Sequence, residues 1–119
     1  MSEIQNSKIY DLEARTLQFA SDVNQYVRKL PRDIPNIENG KQLVRSAGSV
    51  GANYIEANES LSKKDFAMRV KISRKEAKES KYWLILTIPS KDFESKKLAL
   101  AQEALELTKI FGSIVEKSK

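Results

Sequence analysis

The sequence predicts an all-α protein, an antiparallel up-down-up-down four-helix bundle, on three observations. Four long segments repeat apolar residues every three or four positions, the period of one helix face. Breaks fall between them at Pro31 and Pro35, after Asn58 and at Pro89. The 119 residues hold only four glycines, are rich in Ala, Leu, Glu and Lys, and nowhere show the apolar-polar alternation of a strand. Helices of such length are each about 30 Å long, and short connections make sequential neighbours antiparallel. The expected organisation is a flexible N-terminus over residues 1–10 and a single bundle domain over 11–119.

The first helix starts at Asp11, whose charge suits the positive end of the helix dipole, and is stopped by Pro31. Its apolar side is Leu12, Thr16, Phe19, Ala20, Val23, Tyr26, Val27 and Leu30. The second is expected from an N-cap at Asn36 or Asn39 to about Asn58, with Leu43, Ala47, Val50, Tyr54 and Ala57 on one stripe and Val44, Gly48, Gly51 and Ile55 on the next. Glycines 48 and 51 each cost about 1 kcal/mol inside a helix relative to alanine. A close helix contact would offset that cost, the alternative being a kink. The third runs from Ser62, with Asp65 three residues on as in a capping box, to Ile88 before Pro89. The fourth runs from about Glu94 to Glu116 on Leu100, Ala104, Leu107, Phe111 and Ile114, widened by Leu98, Ala101 and Leu105.

The third helix has three faces where one buried face suffices for a monomer. Phe66, Val70, Ser73, Ala77, Ser80, Leu84 and Ile88 form a core seam. Met68, Ile72, Trp83 and Leu86 form a second apolar strip, assigned to an oligomer interface, since Trp and Met are interface-enriched types. The third face is basic: Lys64, Lys71, Arg74, Lys75, Lys78 and Lys81, with Lys63 at one end and Tyr82 alongside. Residues 63–81 hold eight Lys or Arg against three Asp or Glu, leaving thirteen of each elsewhere, so the whole net charge of +5 sits in this segment. Such a stripe matches RNA or DNA phosphates and releases counterions without reading sequence. The competing account is a solvated face on which Glu76 and Glu79 pair with neighbouring lysines. With Tyr82 as its one aromatic, the arc gives little support to a base-stacking platform.

Chemistry is narrowed by what is missing. There is no cysteine and no histidine, hence no disulfide, thiolate site, imidazole base or Glu-x-x-His di-iron site. No phosphate loop or nucleophile elbow occurs. Three acid pairs one turn apart, Glu56 with Glu59, Glu76 with Glu79 and Glu103 with Glu106, are the only basis for an Mg²⁺-dependent hydrolase, and solvated surface acids explain them better. No catalytic residue, metal site or cofactor is predicted. With no apolar run long enough to span a membrane and no signal sequence, the expectation is a cytoplasmic protein with no membrane partner.

Several segments carry a resemblance: Gln42 to Ala57 (QLVRSAGSVGANYIEA), Lys64-Asp65-Phe66, Lys75 to Ser80 (KEAKES) and Tyr82-Trp83-Leu84, with Tyr10 to Glu13 and Lys29-Leu30-Pro31. They resemble the bacterial four-helix bundle proteins encoded in intervening sequences of large-subunit ribosomal RNA genes, over about residues 10 to 90. The resemblance implies a left-handed bundle, assembly as a homopentamer and nucleic-acid binding. Through related bundles that accompany the reverse transcriptases of diversity-generating retroelements, it also implies a protein partner. It brings no catalytic residues.

Overall fold

In the computed structural model, which describes residues 11–119, four helices follow one another: α1 (Leu12–Arg28), α2 (Ile34–Asn58), α3 (Lys63–Leu86) and α4 (Glu94–Lys117). A 3₁₀ turn at Lys91–Phe93 leads into α4. The expected flexible segment at 1–10 lies outside the described residues. Each helix packs against its sequence neighbour, most extensively α2 against α3, and a thinner contact between α1 and α4 completes the bundle. Cross-helix pairs run in opposite order between α1 and α2, Thr16 with Gly51 and Val27 with Gly40, and between α2 and α3, Ser46 with Ser80 and Val50 with Ser73. That is the antiparallel arrangement short connections impose. Phe19, Tyr26, Leu43, Leu84, Leu107 and Phe111 are its largest fully buried side chains, and Tyr54 tilts against Phe111 with ring centroids 5.5 Å apart.

Helix ends follow side-chain chemistry. The Asp11 carboxylate accepts from the Ala14 amide at 3.1 Å, and Ser62 Oγ accepts from the Asp65 amide at 3.1 Å. The second helix begins earlier than Asn36 or Asn39. Asp33 is its cap, accepting from the Asn36 amide at 2.8 Å, because Pro35 falls in the first turn, where a missing N–H breaks no intrahelical bond. Asn36 serves another purpose. Its side-chain amide donates to the carbonyls of Pro31 (3.0 Å) and Ile88 (2.9 Å), and its oxygen accepts from the Ile88 amide (2.9 Å), tying the two connections at this end of the bundle together.

The third helix stops at Leu86, two residues short of the expected Ile88. Pro89 forces the preceding residue to an extended backbone, and the helix gives way at Thr87, whose hydroxyl donates back to the Leu84 carbonyl at 2.6 Å and lies 2.8 Å from Tyr26 Oη. Burial pushes the Tyr26 phenol up, with the Thr87 hydrogen bond acting against it. The Ile88 side chain therefore leaves the core seam and is 68% exposed.

Both glycines sit within an unbroken helix, for different reasons. A Cβ on Gly51 would lie 2.7 Å from Thr16 Oγ1, so this glycine admits α1 against α2. Gly48 is exposed, with nothing within 4 Å of a built Cβ; the close-contact explanation fails there. Gly48→Ala is expected to stabilise by about 0.5–1 kcal/mol through helix propensity. Gly51→Ala is expected to destabilise by roughly 1–3 kcal/mol, because the buried Thr16 has no room to retreat. Urea denaturation of the two variants checks the opposite signs.

Candidate nucleic-acid interface

The basic face of α3 is created by what happens on its opposite flank. Small residues line the seam with α2: Ser46, Ala47 and Val50 face Ser73, Ala77 and Ser80, all buried. Their hydroxyls are satisfied inside the contact. Ser73 Oγ donates to the Val50 carbonyl at 2.9 Å, Ser80 Oγ to the Glu76 carbonyl at 2.8 Å, and the Ser46 and Ser80 hydroxyls lie 3.0 Å apart. The short side chains bring α2 close, and Arg45 reaches across to Glu76 at 3.5 Å and Glu79 at 3.3 Å. Arg69 donates to Asn53 along the same seam at 3.2 Å. The account in which Glu76 and Glu79 pair with lysines on their own helix is therefore corrected: an arginine of α2 takes both.

The six cations are left without counter-charge. Lys64, Lys71, Lys75 and Lys78 are exposed, Arg74 and Lys81 are half-buried, and none forms an ion pair among the described residues. Arg74 lays its aliphatic stem beside Gly112, its Cδ 3.7 Å from where a Cβ there would be. The carboxylate nearest in effect is Glu116, held below the usual glutamate range by its hydrogen bond to Lys119, with the Arg74 charge a smaller contribution.

The second apolar strip divides into two patches. Met68 and Leu86 are exposed while Ile72 and Trp83 are half-buried. Eighteen residues of helix separate the two ends by about 27 Å, and Glu79, drawn to Arg45, lies between them. Trp83 also packs against the core cluster, and its indole N–H is buried with no acceptor, alone in this among the described side chains. Tyr82 and Ile85, which the sequence did not assign to an apolar contact, are exposed, and Leu98, expected to widen the apolar face of α4, is exposed as well. Their signal was present: on α3, Tyr82 and Ile85 fall on the basic side of the helical wheel.

Two of the three acid pairs have structural roles, Glu76 with Glu79 as above and Glu103 with Glu106. Arg15 on α1 grips Glu103 on α4 through two hydrogen bonds at 2.7 and 2.8 Å and reaches Glu106 at 3.0 Å. The Glu103 hydrogen bond raises the Arg15 pKa, and hydrogen bonds from Gln102 and then Arg15 hold Glu106 below the usual glutamate range. No group of three acidic side chains converges as a metal site among the described residues, and no described helix is long and apolar enough to cross a membrane.

The family model of the 23S rRNA-intervening sequence protein matches residues 8–113. The chain belongs to that family. A crystal structure of a protein of unknown function from the S23 ribosomal protein family of Bacteroides thetaiotaomicron superposes on this chain with a TM-score of 0.74. The two are 29% identical over 87% of this chain and 96% of that one. No curated protein matches it significantly.

Arg15→Gln is expected to cost about 1 kcal/mol at neutral pH, a figure discounted for solvent exposure. Because Glu106 has a depressed pKa in the folded state, its share is present above its ordinary value of 4.5 and is lost as the pH falls through the folded value. The stability gap between the parent and Arg15→Gln, measured by urea denaturation, should therefore narrow from pH 7 towards about pH 3. A gap unchanged across that range contradicts the assignment.

Proposed function

We propose that this protein is a non-enzymatic helical bundle that self-assembles and binds the backbone of RNA or DNA through the basic face of α3. One observation carries the reading: Lys64, Lys71, Lys75 and Lys78 form an exposed row with no carboxylate partner, while Glu76 and Glu79 of the same helix are drawn to Arg45. A row of unpaired cations repels itself and gains most from a polyanion. Phosphates supply that charge, and counterion release supplies the affinity. The family resemblance supports five copies, which would repeat the row around a ring, and the exposed Met68 and Leu86 with the half-buried Ile72 and Trp83 supply apolar surface for the contact. Two of the three acid pairs are occupied by arginines, which supports a role in binding over hydrolysis.

Replacing Lys71, Arg74, Lys75 and Lys78 together by glutamine is expected to weaken RNA binding at least tenfold at moderate salt. The log-log salt slope should fall by about 3. Unchanged affinity and slope in an anisotropy titration would remove α3 as the binding surface. Light scattering should give a mass near five times the 13.5 kDa chain. A monomer at every dilution would sink the assembly.

A further inference from the structure

The geometry points to Tyr82 as a base-stacking platform at the end of the lysine row, making the ligand of α3 a single-stranded nucleic acid. This rests on the reading of α3 as a phosphate-binding face and adds what that reading leaves open, since phosphate contacts alone do not distinguish single strands from duplexes.

Lys71, Lys75, Lys78 and Tyr82 follow one another at spacings of four, three and four residues. They therefore occupy one stripe of the helix, about 60° wide and about 16 Å long. Tyr82 is 60% exposed, an unusual position for an aromatic ring that has a core beside it. It is not loose. Its ring meets the Trp83 ring in an edge-to-face contact, centroids 5.0 Å apart and planes at 78°, and Trp83 is itself packed against the core. An edge-to-face contact leaves at least one face of the Tyr82 ring uncovered by Trp83. The result is a braced aromatic surface, one helical turn beyond Lys78, and this bracing by Trp83 is the support that a lone tyrosine in the sequence lacks.

Cations in line with a presented aromatic face match a polynucleotide whose phosphates follow the lysines and whose base lies on the ring. A duplex keeps its bases stacked on one another and gives Tyr82 nothing to stack. A single strand offers an unpaired π-face at every nucleotide. Ile85, three residues further and 51% exposed, extends the apolar ground beside the ring.

The test uses the full chain with labelled twelve-nucleotide single-stranded RNA and DNA and with duplexes of the same length, titrated by anisotropy at several salt concentrations. The parent should bind single strands more tightly than duplexes. Tyr82→Ala and Tyr82→Leu should each weaken single-strand binding about tenfold, leaving duplex binding and the salt slope unchanged. Tyr82→Phe, which keeps the ring, should retain parental affinity. Circular dichroism confirms that each variant is folded, as the exposure of the site leads one to expect.

If Tyr82→Leu binds single strands like the parent, the residue is only an apolar contact and the inference is overturned. It is equally overturned if duplexes bind as well as single strands, or if Tyr82→Phe loses as much as Tyr82→Ala. Loss of binding in the four-site glutamine variant together with an indifferent Tyr82→Ala leaves the phosphate reading standing and the stacking role refuted. No binding to any of the four nucleic acids overturns both.

Discussion

The close approach of α2 and α3 is the constraint on which the rest depends. It needs serines and alanines where bulkier side chains would hold the helices apart, and each serine hydroxyl needs an acceptor inside the contact. Both conditions are met. The consequence for charge is larger than that for packing: at this distance Arg45 reaches Glu76 and Glu79, and the carboxylates turn from the lysines on their own helix towards a neighbour. A packing detail in the core thus sets the electrostatics of the surface one quarter-turn away.

The remaining contacts fix the bundle at its ends and along its open side. Asn36 joins the α1–α2 and α3–α4 connections by three hydrogen bonds, and Tyr26 reaches Thr87 beneath them. Lys97 adds a bond to the Thr87 carbonyl at 2.8 Å, which receives no intrahelical donor at the end of α3. Between α1 and α4, where packing is thinnest, Arg15 bridges to Glu103 and Glu106. The same pattern, two glutamates one turn apart, thus serves in two places as the acceptor for an arginine from the adjacent helix. Opposing charge, more than spacing, decides what such a pair does.

Membership in the intervening-sequence family accounts for the bundle and leaves the chemistry of its surface to be argued from the side chains. The cationic face and the apolar residues beside it lie on the outer side of α3, away from the hydrophobic seam, where the fold itself makes no demand on residue type. Lysines gathered there contribute nothing to packing and repel one another, which is the physical reason to look for a polyanion.

The sequence by itself determined the fold class, the four helices and most of the core, because helical periodicity and proline positions are local properties. Phe19, Val23, Leu43, Val50, Val70, Ala77, Leu84, Leu107 and Phe111 are buried as their spacing requires. It also located the charge. The tertiary structure alone decided what each charge faces. That Asp33 caps α2, that Asn36 clamps two loops, that Ile88 leaves the core and that Gly48 touches nothing depend on neighbours distant in the chain or on how Pro35 and Pro89 are accommodated. The pairing of Glu76 and Glu79 with Arg45 is likewise invisible in one dimension, since lysines three and four residues away are the nearer candidates in sequence. Periodicity tells which way a side chain points around its own helix, and only the packed bundle brings a partner to meet it.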